Sequence, residues 1–237
     1  MTNTSVWKRY LTKKFALIKE EAIQDTYTEI KDAAILNGYN LWIMAFAMLI
    51  ACIGLNVDST SAVIDAMLKS PLMGPIIGLA FGMAINDVPL KQYSLANWLV
   101  MTIICLIAST VYFLISPFDH STNAVASFTK ASIFDILIAF FGGMAGFIGI
   151  IKKEGTKVLA GVAVATACMP PLCTAGFGLA QGNWVVALGG LYFYLIICLF
   201  IGLAHSYLAG LLATTKHLTV PYNTAKRCNG FGHCLYL

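Results

Sequence analysis

The sequence predicts an all-α polytopic membrane protein, with six transmembrane helices as two inverted three-helix repeats whose second and fifth helices are broken. Three observations carry this expectation: composition, the spacing of apolar segments, and a proline–glycine pattern that occurs twice. Of 237 residues, 59% are hydrophobic and 11% charged, against about 25% charged in an ordinary soluble domain. That excludes a typical cytosolic enzyme and a disordered chain. A spanning helix takes roughly 20 apolar residues, so six spans leave only loops, an N-terminal arm and a tail, with no room for a second soluble domain. The expected organisation is a cytoplasmic amphipathic arm over 1–38, one repeat over 39–117, the second over 131–213, and a cytoplasmic tail over 214–237.

In the arm, Phe15, Leu17, Ile18, Ala22, Ile23, Tyr27, Ile30, Ala33 and Ala34 recur at helical spacing. The charged residues fall on the other side, which predicts a helix lying on the membrane or packing beneath the spans. No cleavable signal peptide is visible in the first forty residues, since they hold no continuous apolar stretch. The first span, from about Leu41 to Leu55, has Tyr39 and Trp42 at its entrance as interfacial aromatics. The second runs from Ala62 to about Asn86 and is interrupted by Pro71 and Pro75. The third covers Tyr93 to Ser116, with Trp98 and Tyr112 towards its ends, and the fourth covers Ser132 to Ile151 with Gly142, Gly143, Gly146 and Gly149. The fifth runs from Val158 to Leu179, interrupted by Pro170 and Pro171, and the sixth from Trp184 to Leu212.

Thirteen of the fifteen Lys and Arg residues fall in connections on one side if the N-terminus is inside; Lys130 is outside and Lys69 lies in a span. The positive-inside rule then places both termini in the cytoplasm of a multi-pass protein of the cell inner membrane. Positive charge flanking apolar runs argues against a nucleic-acid surface. The expected partners are the lipid bilayer and a second copy of the chain, met through the glycine-rich helix faces.

The second and fifth segments repeat one pattern. Pro71-Leu72, then Gly78-Leu79-Ala80 and Gly82, matches Pro171-Leu172, then Gly178-Leu179-Ala180 and Gly182, at a constant offset of 100. Each lies in the middle of a group of three spans, and an odd number of spans per repeat inverts the second copy. Proline inside a span frees the carbonyl four residues earlier, here those of Met67, Pro71, Thr166 and Ala167. Broken backbone is tolerated only where protein or water surrounds it, so both segments should face the interior. Ser70 before Pro71 reads as an N-cap, and a helix restarting there would aim its positive end at the midplane, where it suits an anion. The expected substrate-binding residues are Ser70, Pro71, Gly74, Pro75, Cys168, Pro170, Pro171 and Thr174. Against this stands a plain kink, with Gly74, Gly78 and Gly82 serving helix packing.

Asp65 and Lys69 are one turn apart within the second span, either a neutralising pair or a coupling site. Asp135 at the outer end of the fourth span and His205 deep in the sixth complete the intramembrane ionisable residues; His205 reads as a structural histidine or a proton carrier. Cys52, Cys105, Cys168, Cys173 and Cys198 lie in apolar runs as small hydrophobes. The tail residues Cys228, His233 and Cys234 lack a zinc spacing. No Ser-His-Asp arrangement, phosphate loop or metal-helix motif is present, so neither an enzyme nor a cofactor is expected.

At Ala66-Met67-Leu68, Ser70-Pro71-Leu72-Met73-Gly74-Pro75, Gly161-Val162-Ala163 and Pro170-Pro171-Leu172 through Gly176 and Gly178, the chain resembles the bacterial hydrophobic proteins of domain-of-unknown-function family 389, especially those of Bacteroidetes-like organisms. Asn56-Val57-Asp58-Ser59, Ile85-Asn86-Asp87 and the stretch from Asp135 to Gly143 match further, and the likeness runs over roughly residues 40 to 203. It implies a multi-span inner-membrane protein and supplies no substrate. The chain departs from the family pattern at Asp65, where glycine is preferred, at Lys69, where an aliphatic residue is, and at Ile197, where asparagine is expected. The two interrupted segments, and not the resemblance, imply a transporter or channel for a small solute or ion, with an anion weakly favoured; a non-transporting scaffold or sensor is the alternative.

Overall fold

The structure, a computed structural model, describes residues 21–35, 38–116, 123–151 and 168–216. Within them every regular element is a helix: α1 (Glu21–Ala34), α2 (Gly38–Asn56), α3 (Thr60–Lys69), α4 (Met73–Ala84), α5 (Val88–Ile115), α6 (Asn123–Ser127), α7 (Ile133–Ile151), α8 (Met169–Ala180) and α9 (Trp184–Lys216).

Three stretches are long and apolar enough to cross a bilayer: Gly38–Asn56, Val88–Ile115 and Trp184–Leu211, with mean hydropathies of 1.8, 2.4 and 2.4. The helices α3 and α4 make a further candidate as one span bent by 55°. The fourth expected segment forms α7, and the second half of the fifth forms α8. The first half of the fifth, with Gly161, Thr166 and Ala167, lies outside the described residues, as do the arm before Glu21 and the tail after Lys216. Large apolar side chains face outward on these helices: Trp42, Phe46, Ile103, Ile107, Phe134, Phe141, Val185 and Leu199 are all exposed. In water that surface would be prohibitive; against lipid it costs nothing, and it marks a multi-pass membrane protein.

Inside, one cluster gathers Met44, Met48, Cys52 and Leu55 of α2 with Met101 and Cys105 of α5, Leu172 and Cys173 of α8, and Tyr194 and Ile197 of α9. A second joins Ile30 of α1, Ile77 and Phe81 of α4, Phe147 of α7 and Leu208 of α9. Thus α1 docks under the bundle by its apolar face, as its periodicity predicts, burying Ile30 and Ala34.

Three helix reversals share one local form. After α2, Ser59 N–H donates to Gly54 O at 2.8 Å; after α4, Asp87 N–H donates to Gly82 O at 2.9 Å; after α8, Asn183 N–H donates to Gly178 O at 2.8 Å. The residue before each donor is left-handed: Asp58 (φ 51°), Asn86 (φ 59°) and Gly182 (φ 67°). These bonds satisfy carbonyls that a helix end would otherwise leave bare. Each donor residue then caps the next helix. Ser59 Oγ accepts from Ala62 N–H, Asp87 Oδ1 from Leu90 N–H and Asn183 Oδ1 from Val186 N–H. The glycine of each reversal faces the helix that follows. A Cβ on Gly54 would lie 2.9 Å from Val63 N, one on Gly82 3.2 Å from Lys91 N, and one on Gly178 would overlap the backbone of Ala187.

The turns that close α4 and α8 align at an offset of 96, Gly82 with Gly178 and Asn86 with Gly182, where the sequence pattern aligns the two segments at 100. Pro75 then pairs with Pro171, Met73 with Met169 and Phe81 with Phe177.

Gly178→Ala should destabilise the protein by roughly 1–3 kcal/mol through overpacking. Gly202→Ala, where nothing lies within 4 Å, should be neutral or stabilising by up to about 1 kcal/mol. Thermal unfolding of both variants in detergent, against the parent, compares the two.

Candidate functional site

The break in the second segment runs over Ser70, Pro71 and Leu72. Pro71 has no N–H and cannot complete the ladder, but the carbonyl it frees on Met67 accepts from Ser70 N–H at 3.2 Å. Ser70 is therefore the C-cap of α3, with ψ 125°. The expected N-cap role is overturned: α4 restarts three residues later behind Leu72, which offers no side-chain cap. The Ser70 hydroxyl instead accepts from Leu72 N–H at 3.4 Å and donates to Met44 Sδ at 3.5 Å. Pro75 in α4 and Pro170 and Pro171 in α8 each remove an N–H donor from the first turn of their helix.

Gly74 and Gly78 do not line open space. The Ala33 carbonyl of α1 occupies the place where a Gly74 side chain would be, and a Cβ on Gly78 would lie 2.5 Å from Ser94 Oγ and 2.8 Å from Ala34 Cβ. The glycine stripe therefore serves close packing. Asn97 of α5 fixes the same junction, donating from Nδ2 to Ala34 O at 2.7 Å, and Tyr27 OH donates to Asp87 at 2.9 Å. At α8 the expected residues Cys168, Pro170, Pro171 and Thr174 are all buried. Gly176 seats Ser109 of α5, and Gly190 of α9 lies against the Pro171 carbonyl and Ala175.

The buried polar residues that sequence reading missed lie between α5 and α9. Trp98 stacks on Tyr194 with ring centroids 6.1 Å apart and planes 11° from parallel. Tyr194 OH shares a hydrogen bond with Thr102 at 2.8 Å, and Thr102 also donates to Trp98 O. Trp98, half-buried, is thus part of a contact between helices. Among the described residues four buried polar atoms have no partner: Ser94 Oγ, Trp98 Nε1, Thr174 Oγ1 and His205 Nε2. Leaving such an atom without a bond costs about 1–3 kcal/mol. The sequence signal that could have found this face is the equivalence of Trp98 and Tyr194 at the 96-residue offset.

The expected charges stay apart from this interior. Asp65 and Lys69 pair at 2.5 Å, with side chains 52% and 55% exposed, on the face of α3 turned away from the core. Asp135 caps α7, accepting from Ser132 N–H at 2.9 Å while Ser132 Oγ accepts from Phe134 N–H. His205 is fully buried, with Nδ1 on the Ile201 carbonyl at 2.8 Å and its ring edge-on to Phe147. A groove of about 370 Å³ lined by Phe140, Leu203, Ser206 and Tyr207 lies between α7 and α9 and takes no residue from either break.

The fold and this interior define a multi-helix integral membrane protein in which one apolar pair, α3 and α4, is bent at a break. The chain belongs to the family described as Domain of unknown function (DUF389), which it matches over residues 67–203. It is also similar to an uncharacterized protein, MJ0678, of Methanocaldococcus jannaschii, with 26% identity over 188 residues. The match covers 79% of this chain and 57% of that relative. Neither match supports the Bacteroidetes-like source that the resemblance suggested. No solved structure matches the chain.

Asn97→Ala leaves the Ala34 carbonyl buried without its donor, a loss of about 1–3 kcal/mol. Hydrogen exchange in α1 should accelerate, while exchange in the middle of α9 stays at the parent's rate.

Proposed function

We propose that this chain is a non-enzymatic transporter or channel for a small solute or ion, built from two inverted three-helix repeats. The observation that carries the reading is the Trp98–Tyr194 stack. Trp98 lies ten residues into α5 and Tyr194 ten residues into α9. At 1.5 Å per residue each ring sits about 15 Å from the end of its helix, half the thickness of the hydrocarbon core. Equivalent residues of two repeats touch each other only where a twofold axis passes between them, and for inverted repeats that axis lies in the membrane plane.

The packing supports the same reading. The helix α4 packs on α5 of its own half and on α9 of the other; α8 packs on α9 of its own half and on α5 of the other. Each half-helix is 12 residues long, so its N-terminus lies about 18 Å from its closing turn, near the midplane. Two positive helix ends there favour an anion, although the Ser70 cap that strengthened this expectation is absent. The Tyr27–Asp87 bond holds the arm beside the α4–α5 turn, consistent with the basic arm and Lys91 sharing the cytoplasmic side.

A second reading has its own observation: α1 seats its Ala33 carbonyl on Gly74, so the arm is integral to the bundle and suits a scaffold or sensor reporting to a cytoplasmic partner. Proteoliposome flux over a panel of small anions, cations and neutral polar solutes separates the two. Transport predicts flux above protein-free vesicles, reduced at least tenfold by Pro75→Ala with Pro171→Ala and severalfold by Trp98→Phe, which removes the unpartnered indole N–H. Folded protein with no flux across the panel would overturn transport. Crosslinks from residues 1–38 to a cytoplasmic protein would then carry the scaffold reading.

A further inference from the structure

Three sulfur atoms meet in the core where α2 and α8 cross. The Cys52 thiol donates to Cys173 Sγ at 3.4 Å, and the Cys173 thiol donates to Met48 Sδ at 3.5 Å. Met48 and Cys52 are one turn apart on α2, so both sulfurs reach Cys173 from the same side. All three residues are fully buried. Beside them Ser109 Oγ lies 3.4 Å from Cys52 Sγ and donates to the Cys173 carbonyl at 3.1 Å, holding the α8 backbone in place.

We propose that Met48, Cys52 and Cys173 form a binding site for a soft monovalent cation, copper(I) or silver(I). Thioether and thiolate sulfur select copper(I) over harder ions. With metal–sulfur bonds of about 2.3 Å, three sulfurs around one ion stand about 4 Å apart, so the two contacts that Cys173 makes need to open by only about half an ångström. Softness and coordination number set the choice of ion. Both cysteines bind as thiolates and release their protons to solvent, and two thiolates with one thioether make the all-sulfur shell that suits copper(I). Zinc would need a fourth ligand to complete the tetrahedron it prefers. The second sulfur pair, Cys168 and Cys198 at 3.7 Å, makes no thioether hydrogen bond among the described residues and serves as the internal comparison. The proposal stands apart from the transport reading.

The test uses the full chain in detergent with Cys228→Ser and Cys234→Ser, so that tail thiols do not compete. Copper(I) alone is supplied under reductant and challenged with a chromogenic copper(I) chelator. The expected result is one copper retained per chain, with a sulfur-only shell of three ligands by X-ray absorption. Retention should weaken at least tenfold in Cys52→Ala and in Cys173→Ala, severalfold in Met48→Leu, and remain at the parent's level in Cys198→Ala. Met48→Leu nearly conserves volume and decides the matter if the cysteine variants do not fold. Failure to retain copper stoichiometrically, or equal retention in the folded Cys52, Cys173 and Met48 variants, overturns the site.

Discussion

A helix can end inside or beside hydrocarbon only if its last carbonyls find donors within the chain. Here that constraint is met three times by one device: a left-handed residue, a capping residue after it, and a glycine four positions before the left-handed one. The bond from Asp87 N–H to Gly82 O, or from Asn183 N–H to Gly178 O, closes one helix. The side chain of the same residue opens the next. Because the glycine has no side chain, the second helix folds back against the backbone of the first. Trp98 and Tyr194, each ten residues beyond such a reversal, stack on one another.

Small residues extend that constraint into the core. Gly78 faces Ser94, and Gly190 lies against the α8 backbone. At each place close contact is possible because one partner is glycine. Polar groups then fit where helices touch: Ser109 reaches the Cys173 carbonyl and Asn97 the Ala34 carbonyl. Each replaces a lipid-facing polar atom by an internal bond, which apolar surroundings make expensive to break.

Most elements were legible because a spanning helix announces itself through length and hydropathy. The bounds of α2, α5, α7 and α9 follow the apolar segments, and the kink at Pro71 and the packing face of α1 were legible for the same kind of reason. Asp135 was noted as an ionisable group at a span end, and its helix-capping role follows from that position. The interior polar face was not legible. Trp98, Thr102, Tyr194 and Asn97 are scattered singly along apolar helices, and only the crossing of α5 with its neighbours gives them partners. Ser70 misled because a serine before a proline suits the start of a helix and equally the end of one. Backbone geometry decides between them, and Ser70 is extended.

The offset between the two halves shows most clearly what periodicity can and cannot resolve. A shift from 100 to 96 is four residues, close to one helical turn of 3.6. Both registers therefore place prolines and glycines on nearly the same helix face, and side-chain pattern alone scores them alike. Turns have no such degeneracy. A left-handed residue followed by a cap can stand at only one position, and Asn86-Asp87 aligns with Gly182-Asn183 at 96 alone. The reversals, short and polar in a chain dominated by apolar helices, therefore support the 96-residue alignment that the proposed repeat uses.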